Sequence, residues 1–281
     1  MQTVIGLGQA GCNIAECFKQ YSEYNVLKID AGLRKTKTTL GLKVQDSPEA
    51  YEENIPKTLD KFLQGVEPET LFITSCGLVS GASLRILEKI KNKTKITLMY
   101  VVPNPDELGL IQHQQNNLLF GVLQEFARSA LFERIILLDN ELISGIIGPV
   151  PILKYWESIN QMIVSNYHMI NVFEHSLPVF STFTGRIKTA RMSSIGFCNF
   201  DDDEEKYFFK LDIPREKRYY YAVPRKTLEE DFTLIEKIKE QVKKSVEHDK
   251  MKITYSVFPT DYDQIYVYCE ANSSLIQKLV P

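Results

Sequence analysis

Residues 1–16 read MQTVIGLGQAGCNIAE. A short apolar strand over 3–6 runs into Gly6-Leu7-Gly8-Gln9-Ala10-Gly11, and a helix is expected from about Gly11 to residue 21. Glycine lacks the Cβ that would hold a ligand off the backbone, so such a turn lets the chain approach an anion closely. A helix starting there directs free N–H groups and the positive end of its dipole at the same point. A lone GxGxxG says little, but between a strand and a helix it points to a nucleotide phosphate. The competing reading of Gly6, Gly8 and Gly11 is a bare strand-to-helix turn.

Downstream, strand-like runs alternate with helical ones: strands over 25–29, 70–75, 95–102 and 134–138, helices over 51–63, 83–91 and 112–131. This alternation predicts an α/β fold with a mostly parallel sheet and helices on both faces. Ligands of such sheets bind beyond the carboxyl ends of the strands. Residues 151–175 carry apolar side chains on more than one face, which predicts a buried central helix. Past Pro178, strands over 192–200, 207–211, 219–223, 251–258 and 264–270, with one charged helix over 227–248, predict an α+β domain. The expected organisation is a Rossmann-type nucleotide-binding domain over 1–150, a central helix over 151–177 and a smaller α+β domain over 178–281. The acidic run from Asp201 to Glu205 reads as a solvated turn.

The chain has 281 residues, 44% of them hydrophobic and 25% charged, with a formal net charge of −3, which excludes a global electrostatic nucleic-acid binder. No apolar run approaches the roughly 20 residues of a membrane span, and no signal peptide is read at the start. Cys12, Cys17, Cys76, Cys198 and Cys269 are scattered without metal-ligand spacing, so reduced thiols and a cytoplasmic location are expected, with no metal site.

Two readings of the first loop stay open on residues 1–32. Asp30 ends the second strand at a spacing that suits an acid on a ribose hydroxyl, as in an NAD(P)-dependent Rossmann oxidoreductase; a strand-end cap is its bland alternative. The remaining loops favour another arrangement. Phe72 to Ser83 is a second strand, small-residue loop and helix start, with Gly77, Ser80 and Gly81 as a second anion cradle. Val102-Pro103-Asn104-Pro105-Asp106-Glu107-Leu108-Gly109 and Leu138-Asp139-Asn140-Glu141 follow the next two strands. Trp156 and Asn160 stand at i and i+4 on the central helix, an aromatic plane beside an amide, as purine recognition requires. Taken singly, Trp156 could be a core residue, Asn140 a turn residue and Glu107 a solvated acid.

In this order the elements resemble the tubulin/FtsZ family, and Gly8-Gln9-Ala10-Gly11 resembles its plasmid- and phage-borne TubZ-type branch. Residues 75–81 stand where the family has GGGTGTG: Gly77, Ser80 and Gly81 match in kind, while Ser75, Cys76 and Val79 replace glycines. Ile29-Asp30-Ala31 resembles the family's T-D-A. Residues 103–109 resemble its sugar-binding loop with Glu107 as the acid, and Asn140, Trp156 and Asn160 fall on its guanine contacts. The resemblance implies binding of GTP or GDP, with any Mg2+ carried by the nucleotide. It implies head-to-tail homopolymers forming a cytoskeletal filament, and an adaptor for DNA segregation or division as partner, with no membrane and no direct nucleic acid. A non-polymerising nucleotide-binding scaffold is the further alternative.

The resemblance also implies GTPase activity, but this chain departs from the pattern that would supply it. The family places acidic residues in the loop after the central helix, where they position water. Residues 176–188 read SLPVFSTFTGRIK and hold no Asp or Glu; Glu174 is the nearest acid, and Arg186 and Lys188 could pair with phosphate. The segment 40–49 likewise lacks the clustered glycines of a third phosphate loop. Weak or absent hydrolysis is therefore expected, and no catalytic residue is assigned.

Overall fold

The computed structural model describes residues 1–200 and 204–279; Asp201, Asp202 and Asp203, most of the acidic run, lie outside the described residues. The chain divides into two compact units, one of Met1–Val164 with the segment from Ile276, the other of Ser165–Leu275.

The first unit is built on β1 (Gln2–Leu7), α1 (Gly8–Cys17), β2 (Tyr24–Ala31), β3 (Thr39–Leu42), α2 (Pro48–Glu53) and α3 (Leu59–Phe62). It continues with β4 (Glu69–Ser75), α4 (Ser83–Ile90), β5 (Lys95–Val102), α5 (Leu110–Arg128), β6 (Arg134–Asp139) and α6 (Asn140–Ile147). Its strands run parallel in the order β3-β2-β1-β4-β5-β6. β1, β4, β5 and β6 are nearly continuous apolar runs because parallel strands are covered on both faces. Helices supply the cover through one apolar stripe each, as in α4, where Ile86, Leu87 and Ile90 are buried and Arg85, Glu88 and Lys89 are not.

The stretch between β2 and α2 departs from expectation. Leu40 and Leu42, in what the sequence suggests is a poor phosphate loop, are buried in the edge strand β3. Parallel strands ordinarily need a crossover of a dozen or more residues. Here residues 32–38 suffice: Gly32 turns the chain at φ 72°, and the Thr36 hydroxyl accepts from the Thr38 and Thr39 N–H groups.

The helix α7 (Tyr155–Glu174) follows a single 3-10 turn, Ile152–Lys154. The sequence reading buries 151–154, but Ile152 and Leu153 are almost fully exposed. Burial along α7 is concentrated on Ile159, Ile163, Val164, Tyr167, Ile170 and Phe173, and the division between the units falls inside this helix.

The second unit holds β7 (Phe180–Ser181), β8 (Met192–Cys198), β9 (Glu205–Tyr207), β10 (Glu216–Pro224), α8 (Arg225–Glu230), α9 (Leu234–Lys244), β11 (Lys252–Thr260) and β12 (Tyr266–Ser273). Its strand order is β8-β12-β10-β11-β7, with β9 on β8; only β10 and β11 are parallel. Tyr219 and Tyr221 pack into a core with Leu234, Ile238 and Val257. The single helix expected over 227–248 is broken because Asp231 turns its carboxylate onto the Thr233 N–H and hydroxyl. Glu205, read as part of a solvated turn, instead opens β9 and pairs with Lys217 at 2.7 Å. The Lys217 side chain is only 3% exposed. Burial works against its charge, but Glu205 and Glu247 outweigh it and raise its pKa. No helix among the described residues is long and apolar enough to cross a membrane.

Candidate functional site

The helix α1 begins at Gly8, three residues earlier than expected, and Leu7 at its N-cap offers no side-chain hydrogen bond. The first turn, Gly8, Gln9 and Ala10, is partly or fully exposed, so its N–H groups are open to an anion. Gly8 has φ 72°, which L side chains rarely adopt. Gly11 has a different role from the one the motif suggests. It is buried, and a Cβ there would collide with the Ile73 carbonyl of β4. Its glycine lets α1 lie against the sheet.

The second cradle is only partly present. Residues 78–82 form a 3-10 turn rather than an open loop. Val79 adjoins Gly8, so the two turns meet at one place on the sheet edge. Gly77 faces open space, as an anion site requires. Ser80 does not: its hydroxyl donates to the Gly77 carbonyl at 2.5 Å and closes the turn internally. Gly81 packs against the Pro48 carbonyl of α2, leaving no room for a Cβ.

Asp30 lies next to the start of α1, because Leu7 pairs with Ile29 in the register. Burial raises its pKa, and the N–H that it accepts from Ala31 at 2.8 Å opposes this. Cys12 on α1 is pushed up to about 12 by burial and then by the Asp30 charge, which leaves an inert thiol. Glu107 ends a 3-10 turn after β5, and its side chain lies outside the described residues. Asn140 opens α6. Asp139 caps that helix through the Glu141 N–H at 2.9 Å, and the Asn140 side chain stays partly exposed. β6 lies three strands from β1, about 14 Å at the usual spacing, which is the span of a nucleotide.

Trp156 is 49% exposed, with its ring edge-on to Tyr155 at 5.0 Å, so the core reading of this tryptophan fails. Asn160, one turn on, is also partly exposed. The Gln20 amide donates to the Gln161 side chain at 3.0 Å, and Glu157 acts on the Cys17 thiol, so α7 starts alongside α1. Between them on α1 stands Asn13, exposed and one turn from both Gln9 and Cys17. The sequence reading does not single it out as a candidate, although it stands at i+4 from Gln9.

In the second unit, Arg186 is not available to phosphate. It bonds Glu174 at the end of α7, Glu270 on β12 and the Tyr220 hydroxyl. Burial works against the guanidinium, but Glu270 and Glu174 raise its pKa well above the usual value. Glu174 is thereby engaged as well. The Arg218 guanidinium donates to the Thr184 carbonyl and the Glu216 carboxylate accepts the Ile187 N–H, fixing the same segment.

Cys76 and Cys17 are the partly exposed thiols, and Cys76 adjoins Gly77 in the second turn. Burial raises the pKa of both. A bound nucleotide should slow alkylation of Cys76 several-fold while Cys17 labels at an unchanged rate. Mass spectrometry of the labelled peptides reads this, and equal labelling with and without nucleotide would exclude a ligand at this turn.

No family model matches the chain, and no curated protein does. Solved structures do. The GTPγS-form protofilament of TubZ from Bacillus thuringiensis serovar israelensis superposes with a TM-score of 0.71 at 15% identity, covering 98% of this chain and 86% of that one. CetZ1 from Haloferax volcanii, a GDP-bound monomer, gives 0.68 at 14% identity, covering 98% and 94%. The FtsZ dimer from M. jannaschii gives 0.64 at 14% identity, covering 96% and 87%. At these identities the likeness is one of fold, and the fold is that of tubulin and FtsZ, as the order of motifs implies.

Proposed function

We propose that the chain binds guanine nucleotide on the first unit and assembles head-to-tail with copies of itself into a filament. The observation that carries the binding reading is an uncapped, exposed α1 N-terminus whose helix runs beside the half-exposed Trp156–Asn160 face. The first turn of α1 and Gly77 would take the phosphates, Asp30 or Glu107 a ribose hydroxyl, and Trp156, Asn160, Asn140 and Asn13 the base. Any Mg2+ would arrive on the phosphates. Self-assembly draws support from the protofilament and filament forms of the TubZ neighbours. We read the protein as cytoplasmic, with an adaptor for DNA segregation or division as its partner and with little GTPase activity of its own.

The amides can pair with the N1, N2 and O6 edge of guanine, and adenine would leave them unpaired at roughly 1–3 kcal/mol per lost bond. GTP or GDP should therefore bind at least about tenfold more tightly than ATP in titration calorimetry. Trp156→Ala should weaken binding with the melting temperature little changed. Equal affinity for ATP, or preference for NAD, would sink the reading, and the latter would favour an oxidoreductase. Sedimentation and electron microscopy with GTP test assembly.

A further inference from the structure

The crossover between β2 and β3 carries Arg34, Lys35 and Lys37, and Lys43 follows β3. All four are exposed and none has an ion-pair partner among the described residues. No acid occurs between Asp30 and Asp46, so this arm is uniformly cationic.

The second unit has a surface of the opposite sign. β10 and β11 end together, with Pro224 beside Thr260, and β12 begins there, with Tyr266 beside Ala222. α8 leaves from this end, and Arg225 donates to Asp261 at 3.3 Å across it. Glu229, Glu230, Asp261 and Asp263 are exposed here, and neither Glu229 nor Asp263 has an ion-pair partner among the described residues. Two bare apolar side chains accompany them: Phe232 is 97% exposed beyond α8, and Leu177 is 92% exposed beside Asp261. Arg225 and Lys226 stand on the same helix and pair with Asp261 and Glu230, so the four acids leave a net negative surface. Apolar side chains beside such an excess of charge mark a protein-binding surface.

We propose that the cationic arm of one copy docks against the acidic, apolar end of the second unit of the next copy. This rests on the reading that the chain self-associates, and it names the surfaces. The two surfaces are unlike, so the contact is heterologous: each copy keeps one of each free, and addition continues. Unit charges attract across such a contact over about a Debye length, ~8–10 Å near physiological salt, so assembly weakens as salt rises.

The test is a charge exchange in the full chain. One variant carries Lys35→Glu and Lys37→Glu, the other Glu229→Lys and Glu230→Lys. All four sites are exposed, so circular dichroism should show both folded. Each variant alone should need more than tenfold higher protein concentration than wild type to sediment with GTP or GTPγS. An equimolar mixture should assemble near the wild-type concentration, because each reversed surface finds its complement on the other variant. Variants that assemble like wild type would overturn the proposal, leaving the arm as protection for the β3 edge or a site for nucleic acid. Variants that fail both alone and together would overturn the pairing. Wild-type protein that stays monomeric under every condition would remove the self-association reading itself, a result distinct from either.

Discussion

Phosphate release from GTP should stay near the buffer background at protein concentrations where filaments or oligomers are seen. Hydrolysis needs a carboxylate or its equivalent to orient water, and a positioned acid–base group supplies about 10²–10⁴ in rate. Residues 176–188 contain no acid. Glu174, which could have reached back, is held by Arg186 and by the Tyr220 hydroxyl at 2.9 Å. Filaments assembled with GTP should accordingly be long-lived. Thr184→Asp, at an exposed position in the segment that Arg218 and Glu216 hold in place, should raise the rate. Brisk hydrolysis that rises with protein concentration in the unmodified chain would show that an acid from another loop serves, with Asp261 beside Leu177 the first to replace.

The second large effect separates the scaffold from the anion site within one motif. Gly11→Val should abolish folding or lower the melting temperature steeply, because its side chain would be driven into the Ile73 carbonyl. Overpacking of a buried position costs about 1–3 kcal/mol or more, a large part of a typical stability of about 5–15 kcal/mol. Ala10→Asp should do the reverse. Ala10 is exposed in the first turn, where an acid stabilises a helix by about 0.3–1 kcal/mol, yet the same charge would repel a phosphate. Nucleotide binding should fall at least about tenfold while the melting temperature holds or rises. If Gly11→Val melts like wild type, α1 does not pack as described; if Ala10→Asp binds nucleotide normally, the phosphates lie elsewhere.

Elements longer than a few residues and covered on both faces were legible in the sequence, as β1, β4, β5 and β6 show, since each is a run of apolar residues with a glycine or polar loop at its end. β3 was not, because two leucines alternating in four residues give no period to read. The break between α8 and α9 was hidden by unbroken helical spacing and rests on the local preference of one aspartate. At the candidate site, sequence located the loops but not the direction in which each residue faces. Gly11, Ser80 and Gly81 fit the motif by identity, yet they serve contacts within the protein. Trp156 is the opposite case, since its helix reads apolar all round, as a core residue's would, while its own ring is half exposed. Arg186 could not have been placed, because its partners lie 12, 34 and 84 residues away.

The position of β12 governs the order in which the second unit can form. It is the last strand of that unit in sequence, yet it lies between β8 and β10. Until Tyr266–Ser273 has been synthesised, β8 and β10 have no shared neighbour, and both would present open edges capable of pairing with another chain. Cys198 meets Val267 only after closure of a loop of nearly seventy residues, a slow non-local step. The sheet of the first unit, with β1, β2, β4 and β5 in near-sequential parallel order, has no such wait. Only the segment from Ile276 joins that unit late, through Gln277 on Gln124. During synthesis the sheet of the first unit can therefore assemble while the second unit is still exposed, and chaperone demand should concentrate on the second unit.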